Sequence, residues 1–213
     1  MAAPQSRWHI LVPSFVKSGI FLLAKRELAR GRMPSRQCLR HLRYGWNNHA
    51  AVEISFLETM IALSAKTNYP ILECGSGLTT IVLEHVAAKI GTPVWTLEHQ
   101  LEWAERASRH APHVNVCLSP VCDYGDFAWY SLPDDLPRRF GLIICDGPMF
   151  NTKGGRSGLV PLLHDRLLPS TVIMLDDIAA PYGEIALRCW ETRFGMTCSK
   201  RGRFALVRPR NCH

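Results

Sequence analysis

Apolar residues follow two different periods along this chain. Residues 50–65 (AAVEISFLETMIALSA) place them at helical spacing and predict an amphipathic helix. From residue 70 the pattern changes to short apolar runs: PILEC (70–74), VWTLE (94–98), VNVCL (114–118), FGLIICD (140–146) and TVIMLDD (171–177). Helical stretches at about 79–90, 100–110, 157–167 and 181–194 separate most of these runs. Strands that alternate with helices predict βαβ units and a mostly parallel sheet buried on both faces. Residues 197–200 and 203–208 read as a closing pair of strands turning at Gly202. The segment 119–139 is the longest irregular stretch, of a length that marks function or mobility. The expected fold is a single doubly wound, Rossmann-like α/β domain over residues 46–213, preceded by an N-terminal helical extension over 1–45.

Composition narrows this picture. At 213 residues, with 47% hydrophobic and 20% charged, the chain suits one core-forming domain and excludes a collagen-like repeat or a pure coiled coil. Residues 8–24 are the most apolar stretch, but Pro13, Lys17 and Gly19 interrupt them, so no transmembrane helix is expected. Lys25, Arg26 and Glu27 follow without a small-x-small cleavage site, which argues against a secretory signal. Of the eight cysteines, Cys74, Cys117 and Cys145 lie within strand-like runs, and no C-x-x-C occurs. Free thiols in a reducing compartment, hence a cytoplasmic protein, are expected.

The net charge of +7 is unevenly placed. Residues 1–45 carry nine Lys/Arg (Arg7, Lys17, Lys25, Arg26, Arg30, Arg32, Arg36, Arg40 and Arg43) against Glu27 alone, a net of +8, and the remainder is close to neutral. Such an arm suits an anionic partner or membrane surface. The alternative is a solvated helix that packs Phe15, Ile20, Phe21, Leu22, Leu23 and Leu28 on the domain.

The chemistry concentrates at strand ends. Glu73, Glu98, Asp146 and Asp176–Asp177 each close a predicted strand, the edge where doubly wound sheets bind ligands. Glu73-Cys74-Gly75-Ser76-Gly77 leads from the first strand into a helix, with Gly75 and Gly77 allowing a tight turn and close ligand approach. Glu98 follows 21 residues after Gly77, the spacing of a carboxylate that accepts ribose hydroxyls. A dinucleotide site would want a third small residue where Thr80 stands, and Glu73 is poor company for a pyrophosphate. A ligand bearing a sulfonium and an ammonium makes better electrostatic sense, so S-adenosylmethionine is favoured over a nicotinamide dinucleotide.

On these residues the chain resembles the class I S-adenosylmethionine-dependent methyltransferases. More closely, it is similar to a small bacterial-type branch with ECGSGLTT, TLEH, CDGP and LDD at its strand ends. The similarity spans about 45–208 and includes YGWNN (44–48), DYGDFAWY (123–130) and GGRSGLVPLL (154–163). It implies that Glu73, Gly75 and Gly77 line the methionine end of the cofactor, that Glu98 holds the ribose, and that Cys122 and Asp123 lie near the adenine, with Asp146 also at the cofactor. A more distant similarity, to catechol O-methyltransferase, implies that Asp146, Asp176 and Asp177 could converge on Mg²⁺. In that pattern one ligand is an amide where Asp177 stands, and its lysine base has no match here. The alternative is that Asp146 orients a ligand while Asp176–Asp177 cap a loop.

Candidates for a base are Asp146, Lys153, Asp176 and Tyr182. Arg156 would hold an acidic acceptor or form a salt bridge from its loop to a carboxylate. Trp46, Asn47, Asn48, Tyr124, Trp129 and Tyr130 would form an acceptor lid or plain core. The expected activity is methyl transfer to a small or medium-sized acceptor, most plausibly at oxygen. A non-catalytic cofactor-binding module and a metal-dependent hydroxylase-like relative are the competing readings.

Overall fold

The computed structural model of the protein describes residues 14–210 apart from 32 and 49. The chain divides between Ala51 and Val52 into two compact units. Of the basic residues in the first unit, Arg7 and Arg32 lie outside the described residues.

The first unit is a pair of helices, α1 (Ser14–Ala29) and α2 (Arg36–Trp46). Ser35 starts α2 by accepting the Cys38 amide at 3.1 Å, which satisfies one of the free N–H groups of the first turn. Phe21 packs on Trp46 with ring centroids 5.6 Å apart. Gly45 permits this approach, since a Cβ there would come 2.6 Å from the Cβ of Phe21. Of the apolar residues expected to be packed, Phe21 and Leu28 are buried, but Phe15 is 74% exposed, Leu22 54% and Leu23 65%.

The second unit opens with α3 (Ile54–Ser64) and then alternates β1 (Ile71–Cys74), α4 (Leu78–Ile90), β2 (Val94–Glu98), α5 (Leu101–His110) and β3 (Asn115–Leu118). A hairpin of β4 (Val121–Asp123) and β5 (Ala128–Tyr130) follows, within the segment expected to be irregular. The chain continues through β6 (Phe140–Cys145), α6 (Leu159–Leu163), a 3₁₀ turn at His164–Arg166, β7 (Leu167–Leu175), α7 (Gly183–Arg193), β8 (Met196–Arg201) and β9 (Phe204–Pro209). The helix expected over 157–167 shrinks to five residues, and β7 begins earlier than the apolar run suggested.

The seven strands lie in the order β3-β2-β1-β6-β7-β9-β8. All pairs from β3 to β7 are parallel, and the β8–β9 hairpin closes the sheet antiparallel. Strand order reverses between β1 and β6, so connections run to opposite faces and leave a crevice beyond the carboxyl ends there. One face of the sheet, including Leu72, Ile143 and Ile173, packs with Trp129, Trp190 and Leu159 in a continuous core. Burying each such side chain contributes about 1.5–3 kcal/mol. The cysteines among the described residues are free thiols. No described helix is long and apolar enough to cross a membrane.

Candidate functional site

Glu73 is fully buried at the end of β1. Its Oε2 accepts hydrogen bonds from the hydroxyls of Thr80 and Thr96, each at 2.7 Å, while Oε1 has no partner. Burial pushes this carboxyl up to about 7, against the hydroxyls of Thr79, Thr96 and Thr80, which favour its charged form. Thr80 also accepts the Gly77 amide at 2.8 Å. A glycine at position 80 would leave the Gly77 amide without this acceptor and Glu73 Oε2 with only the Thr96 donor, which gives the departure from the dinucleotide pattern a physical reason.

The two loop glycines serve different ends. Gly75 has φ +89°, and a Cβ there would come 2.8 Å from the Gly147 amide nitrogen. It is needed where the loops after β1 and β6 touch. Gly77 is extended at φ 177°, and a Cβ would project into open space. The missing side chain leaves the start of α4 approachable.

Glu98 is 4% exposed and carries four hydrogen bonds. The amide and hydroxyl of Ser76 each donate to Oε2 at 2.8 Å, and the amides of His99 and Gln100 donate to Oε1 at 2.8 and 2.9 Å. The carboxylate thus clamps the glycine loop to the start of α5.

Asp146, Asp176 and Asp177 do converge, with ligand oxygens within 4.8 Å of one another. Arg156 enters the same space. It donates to Asp146 Oδ1 at 3.0 Å and to the Asp176 carbonyl at 2.7 Å, bonds the Asp146 carbonyl, and lies 3.9 Å from Asp177 Oδ2. Arg203 pairs with Asp177 from the β8–β9 turn. Enclosure raises the Asp146 carboxyl to about 7 despite Arg156, and raises Asp176 to about 6 with Asp177 adding to the effect. Three carboxylates therefore already face two guanidinium groups, and a divalent cation would have to sit against Arg156. This donor set does not fit a resident Mg²⁺.

The remaining expected site residues are dispersed. Lys153 donates to both oxygens of Asp123, at 3.1 and 3.0 Å, on the exposed side of the β4–β5 hairpin. Cys122 is exposed on the same hairpin, and Tyr124 stacks on Phe127. Trp129 and Tyr130 are fully buried, so they are core and not lid. Tyr182 lines a small pocket with Arg156, Asp176, Asp177 and Phe150. Trp46 and Asn47 belong to the first unit, where Trp46 is buried and Asn47 caps α2 and accepts from Lys17 at 2.8 Å.

No family model matches the chain, and no curated protein matches it in sequence. Solved structures do match. The cofactor-bound Rv0187 from MTB is 18% identical, with 93% of this chain and 96% of that one covered at a TM-score of 0.58. The methyltransferase PaMTH1 of Podospora anserina, solved with SAH, is 15% identical over 90% and 88% of the two chains at 0.56. An O-methyltransferase of Bacillus cereus in complex with SAH is 16% identical over 94% of each at 0.53. The fold is that of the class I S-adenosylmethionine-dependent methyltransferases. In this methyltransferase fold the acids Glu73, Glu98 and Asp146 end neighbouring strands at the switch point between β1 and β6. Sequence reasoning missed the roles of Thr80 and Thr96 at Glu73, whereas the loop-to-carboxylate salt bridge it offered for Arg156 is present, to Asp146. Two hydroxyls flanking a lone buried acid, Thr80 from the next helix and Thr96 from the next strand, were the available signal.

Proposed function

We propose that the protein is an S-adenosylmethionine-dependent methyltransferase acting on a small or medium-sized acceptor, with oxygen as the favoured atom. The observation that carries this reading is Glu73, a buried carboxylate with an unpartnered oxygen and no cation bonded to it, beside an approachable glycine turn. Such a group suits the ammonium of a bound amino acid. Glu98 would receive the ribose, with the Ser76 hydroxyl giving way to a ribose hydroxyl on Oε2. Cys122 and Asp123 remain the adenine-side candidates.

When bound, S-adenosylmethionine supplies a methyl group already activated on sulfur, so the chain's main task is to place the acceptor in line. Asp146, with its carboxyl near 7, is the residue best suited to take the acceptor's hydroxyl proton at Oδ2 while Arg156 holds Oδ1. Asp176 and Tyr182 line the neighbouring pocket with Arg156 and Asp177. Lys153, engaged by Asp123, is the weaker candidate. Arg156 is occupied by carboxylates and so serves the site better as its internal counterion than as an acceptor clamp. No step needs Mg²⁺.

Calorimetric titration with S-adenosylhomocysteine, with and without Mg²⁺, tests this reading. Micromolar binding that changes less than about twofold with the metal is expected, and no binding by the folded protein would overturn it. Asp146→Asn should then lower turnover by about 10²-fold or more while affinity for S-adenosylhomocysteine falls far less.

For the first unit we propose an anionic membrane surface as partner, because α1 exposes Phe15, Leu22 and Leu23 beside Arg26 and Arg30. Sedimentation with phosphatidylserine vesicles but not phosphatidylcholine vesicles is expected, and Leu22→Glu with Leu23→Glu should abolish it. Equal binding by this double variant would reject the surface.

A further inference from the structure

The side chain of Tyr130 poses a problem that the core alone does not solve. It is fully buried at the end of β5, yet its hydroxyl has no hydrogen-bond partner. An unpaired hydroxyl in such a place costs about 1–3 kcal/mol. A phenylalanine would fill the same volume without that penalty.

The hydroxyl is aimed at the strand-end crevice. A Cβ on Gly147 would lie 2.2 Å from it, and the same Cβ would meet the Cα of Gly75 at 2.8 Å. Gly147 therefore leaves room for the Tyr130 hydroxyl at the point where the loops after β1 and β6 touch. Glu98, Cys74 and Cys145 surround it closely enough to push its ionisation well above the ordinary phenol value, with burial the largest cause. It stays a neutral hydrogen-bond donor.

A second orphan donor stands nearby. Arg156 Nε is buried without a partner, although the other guanidinium nitrogens are used. The Arg156 charge acts on Tyr130 against the effect of burial, which places the two groups in one electrostatic neighbourhood. An Nε–H can only donate, so it calls for an acceptor that the described residues do not supply. Glu73 Oε1 is the complementary orphan, an acceptor without a donor.

We propose that the Tyr130 hydroxyl is a ligand contact that donates to the carboxylate of the cofactor's amino-acid group. The inference rests on the proposed S-adenosylmethionine site and extends it to a residue of the β4–β5 hairpin. With the ammonium end on Glu73, the carboxylate becomes the group able to satisfy the remaining buried donors. Tyr130 then makes the site selective for ligands that keep the amino-acid part.

The test compares wild type and Tyr130→Phe against two ligands, S-adenosylhomocysteine and 5′-deoxy-5′-methylthioadenosine, which keeps the sulfur and nucleoside but lacks the amino-acid group. Removing a hydrogen bond to a charged group should weaken S-adenosylhomocysteine binding by roughly 10-fold or more. Methylthioadenosine affinity should stay within about twofold. Without ligand, the thermal midpoint of Tyr130→Phe should equal or exceed that of wild type, since the variant loses an unsatisfied hydroxyl. Unchanged S-adenosylhomocysteine affinity would overturn the contact. An equal loss for both ligands would assign the hydroxyl to the nucleoside, and a lowered midpoint of the free protein would make it a structural group. Either result overturns the proposal. Failure of wild type to bind S-adenosylhomocysteine would instead reject the underlying cofactor reading.

Discussion

Glu73, fully buried, and the partly buried Asp146–Asp176–Asp177 cluster both place negative charge at the carboxyl edge of one sheet, but they neutralise it differently. Glu73 is held by the hydroxyls of Thr80 and Thr96, which stabilise a carboxylate without cancelling its charge. The aspartates are held by Arg156 and Arg203, which cancel much of theirs. A carboxylate solvated only by neutral donors attracts a cation fully, whereas one already paired to a guanidinium attracts a further cation less. In the proposed assignment the first site receives a charged ligand group, and the second holds its loops together around the acceptor.

The largest effect should come from removing the internal cation. Arg156→Ala leaves the Asp146 side chain and the Asp146 and Asp176 carbonyls without their donor, and should cost about 3–5 kcal/mol in denaturant unfolding. A cost below about 1 kcal/mol would mean that water or an ion can replace the guanidinium, and the contrast would collapse. Glu73→Gln should behave in the opposite way. The free protein should be no less stable, because a costly buried carboxyl is gone, while affinity for S-adenosylhomocysteine should fall about 10-fold or more. Loss of folding stability without loss of affinity would make Glu73 a structural group.

The smallest expected effect is a pH trend common to both sites. Glu73 and Asp146 near 7 and Asp176 near 6 are raised above their unfolded values, so the folded state binds more protons from about pH 4 to 7. Their contribution is fully present below about pH 4 and is lost as pH rises through 6 to 7. A lower thermal midpoint at pH 8 than at pH 5 follows, and Asp146→Asn should flatten the difference. Ligand affinity should run the other way, rising toward pH 8 as Glu73 ionises to meet an ammonium. Parallel trends in stability and affinity would contradict this assignment of Glu73.

The parallel strands were legible in the sequence because burial on both faces turns them into unbroken apolar runs, and Glu73, Glu98 and Asp146 stand out at their ends. The convergence of Asp146 with Asp176–Asp177 was legible for the same reason, given that β6 and β7 are neighbours. What fills that convergence was not. Arg156 sits in a glycine-rich loop whose direction no periodicity encodes, and its bonds run ten and twenty residues away, to Asp146 and Asp176. The β4–β5 hairpin was hidden because three-residue strands are too short to show alternation. The sequence left Tyr130 open between lid and core because its burial comes from a core shared with distant elements such as Leu159 and Trp190. The helix expected over 157–167 begins only after Gly158 and tightens into the 3₁₀ turn at His164–Arg166 after five residues.

The Arg203–Asp177 pair has a consequence for how the protein comes into being. Arg203 lies in the β8–β9 turn, its carbonyl accepts the Ile178 amide at 3.0 Å, and β9 is inserted between β7 and β8. A chain emerging from the ribosome can therefore lay down β1 to β7 while one edge of β7 stays bare. The aspartate loop receives its second arginine only after the β8–β9 turn has been translated, so the strand that pairs with β7 last also finishes the cluster.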